Sequence, residues 1–231
     1  MADLIAIEGI DGAGKGTLTK ALAMAAETAG KRVATLSFPR YRETRFSALI
    51  EQYLNGRFGG LKDVAAEFAA LLYAGDRLES RQMLLDMLAS HDIVLLDRYV
   101  ESNVAYNAAR LPADNRAALV EWVREVEYGT FELPVPRTIV LVATRPAVAD
   151  ELVARKGARA YTEATRDLHE TAGDYMDTVA QVYAGLAETS QPCPWITVHT
   201  DDGKGGLRSP NELADDVWAR LKATAPEVSV N

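Results

Sequence analysis

The 231 residues, 48% of them hydrophobic, suffice for one large α/β domain with a sizeable core and exclude a disordered body. A formal net charge of −8 argues against a general binder of nucleic-acid backbones, so no DNA or RNA partner is expected. The single cysteine, Cys193, excludes a disulfide framework or a zinc cluster; with no signal peptide and no apolar stretch of roughly 18 residues in view, a cytoplasmic protein with no membrane partner is expected.

In chain order, Leu4-Ile5-Ala6-Ile7 predicts a strand over 4–8, followed by a glycine-rich turn from Gly9 to Thr17 and a helix over 15–30. A second strand is expected at 32–37, then helices at 44–55 and 63–89. Asp92-Ile93-Val94-Leu95-Leu96-Asp97 predicts a third strand over 92–97, with helices following at 100–108 and 114–127. The last two strands fall at 138–143 and 195–199, separated by helices at 146–156 and 167–189. Ser209-Pro210-Asn211-Glu212 announces the final helix, with an N-cap serine, proline at the first position and a capping-box glutamate. Continuous Val/Ile/Leu runs, rather than alternation, indicate a parallel sheet covered by helices on both faces. No repeat and no Pro/Ser-rich linker divides the chain. The expectation is one domain over 1–231, with mobile insertions at 56–62, 155–166 and 200–209.

The turn reads Gly9-Ile10-Asp11-Gly12-Ala13-Gly14-Lys15-Gly16-Thr17, between a strand and a helix. Its glycines let the backbone turn several N–H groups on one polyphosphate at the positive end of a helix. Lys15 can reach the outer phosphates as a point charge. The pattern G-x-x-x-x-G-K-[ST] is departed from once: Gly16 stands where a hydroxyl residue is expected, and Thr17 comes one later. A purely structural turn needs neither the lysine nor both flanking elements, so the segment predicts a phosphate-binding P-loop for a nucleoside triphosphate.

Such a loop needs a carboxylate at the end of a neighbouring strand, to hold Mg²⁺ directly or through water. Asp97 ends the third run and is the candidate metal residue. Arg98, next to it, could span two phosphoryl groups and neutralise the moving charge. The plainer reading of a strand-end Asp-Arg is a helix cap and a surface charge.

Asp97-Arg98-Tyr99 followed by Ser102-Asn103 and Tyr106, Phe38-Pro39-Arg40 after the second strand, and Asp76-Arg77 on the long helix together resemble the thymidylate kinase family, in order from Leu4 to about Leu186. The resemblance is to bacterial members with lid arginines. It implies a P-loop kinase fold with a five-stranded parallel sheet, a homodimer, and phosphorylation of dTMP to dTDP by ATP and Mg²⁺ in dTTP synthesis. A phosphate acceptor is already mostly deprotonated at neutral pH, since its second pKa is about 6, so no general base is required. That suits a chain with three scattered histidines, in which lysine and arginines carry the catalysis.

Tyr73 and Arg77 are spaced i, i+4, and Asn103 and Tyr106 i, i+3, each pair on one helix face. By resemblance, Tyr73 stacks on thymine, Arg77 donates to O4 and Asn103 addresses the N3 edge. Tyr106 crowds the sugar 2′ position, Phe38 packs beside the base, Arg40 and Arg98 hold the acceptor phosphate, and Asp11 approaches the 3′-hydroxyl. Core filling is the competing reading for Tyr73 and Tyr106.

Arg155-Lys156-Gly157-Ala158-Arg159 and Thr165-Arg166-Asp167-Leu168-His169-Glu170 suit a lid over the triphosphate, although a charged surface loop would look alike. The family places a catalytic arginine either in the P-loop or in this lid. Gly12 occupies the P-loop position here, so Arg159 and then Arg155 are expected to join Lys15, Arg98 and Asp11 in catalysis, with Arg166 held in a local ion pair. Asp167 and Glu170 match the family's acidic positions, whereas His169 stands where many relatives carry an aromatic ring. Two alternatives stay open: another nucleoside monophosphate or deoxynucleoside kinase, and a P-loop nucleotide switch. The latter lacks support in an Asn-Lys-x-Asp guanine motif.

Overall fold

The computed structural model describes residues 2–156, 175–204 and 206–224, with the side chains of 153–156 set aside. Among these residues lie five strands: β1 (Asp3–Glu8), β2 (Val33–Ser37), β3 (Ile93–Asp97), β4 (Thr138–Ala143) and β5 (Trp195–His199). All pair in parallel, in the order β2-β3-β1-β4-β5. The three central strands are buried almost throughout, whereas β2 and β5 at the edges are half-exposed. Coverage on both faces is why the central runs are unbroken Val, Ile and Leu.

Nine helices accompany the strands in the described residues: α1 (Lys15–Thr28), α2 (Arg45–Leu54), α3 (Ala66–Glu79), α4 (Arg81–Ser90), α5 (Val100–Ala108), α6 (Ala113–Arg124), α7 (Pro146–Lys156), α8 (Tyr175–Thr189) and α9 (Pro210–Ala223). Parallel crossovers are right-handed, so their direction along the sheet decides the face on which each helix lies. α1 connects β1 to β2 and shares its face with α9, against which it packs. The connections from β3 to β4 and from β4 to β5 run the other way, which puts α5 and α8 together on the opposite face. Outside α5, helices α2 and α3 close on a second, smaller core of Ile50, Tyr53, Leu54, Val64, Ala69 and Leu72. That core supports the wall carrying Tyr73 and Arg77.

Two of the helices differ from expectation. The helix expected over 63–89 begins at Ala66 and divides at Ser80, without proline or glycine. There the Ser80 N–H donates to Arg77 O (3.1 Å), and its hydroxyl turns back to Asp76 O (2.8 Å) while accepting from Arg40 Nη1 (3.1 Å). A tertiary contact thus competes with the helical ladder. The helix expected over 114–127 ends at Arg124 and widens into a π-helical turn, Glu125–Thr130. The start of the helix expected over 167–189 lies outside the described residues, and from Tyr175 to Thr189 the chain is helical. At α9 the capping box is present: Glu212 N donates to Ser209 Oγ (3.3 Å), and Ser209 N donates to Glu212 Oε2 (2.7 Å). Among the described residues no helix is long and apolar enough to cross a membrane.

Candidate active site

Strand register brings the glycine-rich loop and the Asp97-Arg98 pair to one level. Ile7 of β1 pairs with Asp97 of β3, and Arg98 N donates to Ile7 O at 3.0 Å. The P-loop leaves β1 there and enters α1 at Lys15, with Gly14 as N-cap at φ 89, a left-handed conformation that suits glycine. The first amides of α1 therefore open on the crevice at the carboxyl end of the sheet, where an anion is favoured. Gly16 explains its own departure from the hydroxyl pattern. A Cβ at this position would stand 2.9 Å from Asp97 Oδ2, so the Asp97 carboxylate takes the space a side chain would need.

Lys15 is buried, and its Nζ donates to Gly9 O (3.0 Å) and Ile10 O (2.7 Å). Burial, and next the charge of Arg98, lower its pKa to about 8, against the pull of Asp11, Asp97 and Glu8. Arg98 has φ 69, a conformation that non-glycine residues rarely adopt. Its guanidinium forms an ion pair with Asp11, reaches Ser102 Oγ (3.3 Å), and lies 5.2 Å from the centre of the Tyr106 ring. Behind it sits Glu8, fully buried at the end of β1. Its carboxylate accepts from Tyr99 N (2.8 Å), Ser102 Oγ (2.5 Å) and Tyr183 Oη (3.0 Å). Burial pushes the Glu8 carboxyl above its ordinary range, while these donors and Arg98 oppose the shift. Glu8 so ties the P-loop strand, the start of α5 and α8 to the seat of Arg98.

A cleft with about 520 Å³ of free space, open at its mouth, runs from Asp11 and Arg98 to the α3–α5 wall. Seven residues expected at the acceptor line it: Asp11, Phe38, Tyr73, Arg77, Arg98, Asn103 and Tyr106. Arg40 stands apart, in a depression shared with Asp97 and Gly16 on the other side of the Phe38-Pro39 turn. Its guanidinium pairs with Glu43 and reaches Ser80. Asp76, fully buried, accepts from Arg40 N (2.9 Å) and Thr44 Oγ1 (2.5 Å) and so anchors that turn on α3. Tyr106 lines the cleft and also packs edge-on against Tyr175 (6.3 Å) and Tyr183 (6.4 Å).

At the far wall, Glu127 of the π-helical turn is fully buried. Its Oε2 accepts from Arg77 Nε (2.5 Å), and its Oε1 accepts from Arg77 Nη2 (2.8 Å) and Asn103 Nδ2 (2.8 Å). Nothing local in the sequence marks this residue. Glu8 does leave a signal, a lone acid ending an apolar strand immediately before the P-loop. A second hollow, with about 1310 Å³ of free space, extends from Ile10 past Thr144, Arg145 and Asp201 to Tyr183 and Ala184 of α8. The side chain of Arg155, and Arg159, Arg166, Asp167, His169 and Glu170, lie outside the described residues.

Comparison with known proteins adds to this geometry. A family model described as thymidylate kinase matches residues 7–202. A thymidylate kinase of Mycobacterium tuberculosis is 37% identical over 206 residues, covering 88% of this chain and 94% of its own. One from Bifidobacterium longum is 28% identical over 228 residues, covering 97% and 98%. Among solved structures, thymidylate kinase from Candida albicans superposes with a TM-score of 0.71 at 22% identity, covering 96% of this chain and 92% of its own.

Proposed function

The chain belongs to the thymidylate kinase family, and we infer that it transfers the γ-phosphoryl group of ATP to dTMP, releasing dTDP. The observation that carries the acceptor assignment is the cleft itself: a guanidinium and a P-loop at one end, a donor–acceptor pair for a pyrimidine edge at the other. Arg98 and Asp11 face the reacting phosphate and sugar, and Tyr73, Phe38, Arg77 and Asn103 receive the base. Arg40 acts from its own side of the Phe38-Pro39 turn, where it shares the depression with Asp97. ATP lays its phosphates on Gly9–Thr17, and its base extends into the hollow beside Arg145. Within that frame Lys15 and Arg98 neutralise charge, and a further cation comes from Arg159 or Arg155.

Asp97 supplies one hard oxygen donor beside the loop. That fits Mg²⁺, which is held by one or two carboxylates together with phosphate oxygens and water. When bound, the ion would screen the phosphate charges during transfer. A buried, unreactive Cys193, its pKa pushed up to about 12 first by burial, suits the cytoplasm.

A coupled assay with ATP and each monophosphate tests the acceptor. dTMP should be preferred, with dUMP weaker by about 1–3 kcal/mol in transition-state terms for the missing methyl group. Preference for AMP or CMP would overturn the assignment.

The reading includes a homodimer through the outer face of α3. Phe68 (48% exposed), Leu71 (38%) and Leu78 (40%) project there, and Phe58 meets Phe68 edge-on at 6.3 Å. Such a patch on a single helix supports an interface here, because a two-fold dimer supplies the same face twice. Leu71→Glu should reduce the sedimentation mass from twice the chain's 25.1 kDa to that value. An unchanged mass would place the interface elsewhere or show that the protein is a monomer throughout.

A further inference from the structure

Arg77 and Asn103, the two residues read as facing the acceptor base, converge on one carboxylate that lies behind the cleft lining. Glu127 holds Arg77 through Nε and Nη2, which leaves Nη1 outside the pair. The same carboxylate takes one N–H of the Asn103 amide (2.8 Å), and Ala70 O takes the other (3.0 Å). Asn103 Oδ1 in turn accepts from Asn107 Nδ2 at 2.9 Å. Turning the Asn103 amide over would set its oxygen against Glu127 Oε1 and Ala70 O, three acceptors without a proton among them. Its orientation is therefore dictated by the network, and what remains for a ligand is one acceptor lone pair on Oδ1.

We propose that Glu127 is the positioning residue that sets the hydrogen-bond pattern of the acceptor-base subsite, aiming the donors of Arg77 and holding Asn103 as acceptor. Among pyrimidines, this pattern selects a base with a 4-carbonyl and an N3–H. A 4-amino pyrimidine presents the reverse pattern, donor at position 4 and acceptor at N3, and meets a mismatch at both residues. The π-helical turn is the device that makes this possible. It widens the helix just past Arg124 and carries Glu127 to full burial between α3 and α5. The proposal rests on the reading that the base lies against Arg77 and Asn103.

The test is Glu127→Gln in the full chain, which keeps the volume but turns one acceptor into a donor facing other donors. By calorimetry, dTMP affinity should fall at least about tenfold while ATP affinity stays within about twofold. The ratio of kcat/KM for dTMP over dCMP should fall at least about fivefold. Wild-type affinity and ratio would overturn the proposal. So would an equal loss for dTMP, dCMP and ATP, which marks a structural residue only. Arg77→Gln separates the proposal from the reading beneath it. If that variant binds dTMP as well as wild type, the base subsite is misread and the proposal falls with it. If it loses dTMP affinity while Glu127→Gln does not, the proposal alone fails. Should either single variant fail to fold, Arg77→Gln with Glu127→Gln replaces the buried ion pair by a neutral one. The same drop in the dTMP/dCMP ratio is expected there, and a wild-type ratio overturns the proposal.

Discussion

Lys15→Met should lower kcat by about 10²–10³-fold while leaving dTMP affinity close to wild type. Lys15 stands on the P-loop with its Nζ against Gly9 O and Ile10 O. A charge in that position matters most as the phosphoryl group passes between nucleotides, when negative charge spreads over its oxygens. The buried ammonium also makes a second, independent demand. Its pKa of about 8 in the free protein means that folding already disfavours its charged form, chiefly through burial. ATP brings negative charge to the same place and favours the ammonium, so binding should take up a proton at about pH 8. ATP affinity must therefore decline as the pH rises above about 8, where the free protein has lost that proton. Calorimetry in buffers of different ionisation enthalpy reads this uptake directly, and Lys15→Met should abolish it. Equal losses of dTMP binding and turnover would instead make Lys15 an ordinary affinity residue.

How much of this site the sequence discloses depends on whether a residue's partners are near or far along the chain. β1, β3 and β4 are legible because a strand covered on both faces tolerates little except Val, Ile, Leu and Ala. The P-loop is legible because glycine, lysine and helix start are adjacent. Tyr73 with Arg77, and Asn103 with Tyr106, show themselves by helical spacing, and their two helices do face one cleft. Glu127 does not, because its meaning lies in Arg77, 50 residues away, and in a π-helical turn that no residue pattern announces. The break at Ser80 is hidden for the same reason: Arg40 reaches it from 40 residues away, and serine alone is a poor helix terminator. Gly16 looked like a defect in a motif. Its cause, the Asp97 carboxylate pressed against it, is a contact between the start of α1 and the end of β3.

Arg98→Ala should cost about 10²–10³-fold in kcat, with dTMP affinity reduced much less, because the proposed role puts the guanidinium where charge develops and not where the base is read. Its surroundings support that division. Asp11, Ser102 and the Tyr106 ring hold the side chain, and Glu8 secures Ser102 and the Tyr99 amide from behind. The backbone of Arg98 is meanwhile kept at φ 69, which costs a residue with a Cβ about 1–2 kcal/mol. Strain of this kind beside a P-loop motivates the proposed use of the position for its guanidinium, since glycine would relieve it at no steric cost. Glycine is accordingly the informative control. Arg98→Gly should melt higher than Arg98→Ala, because it accepts the left-handed backbone, yet be just as slow in single-turnover transfer. Arg98→Lys should recover only part of the rate, having charge without the planar fork that meets two oxygens at once. If Arg98→Gly transferred phosphate at the wild-type rate, the residue's contribution would be conformational and its assignment to the reacting phosphates would be wrong.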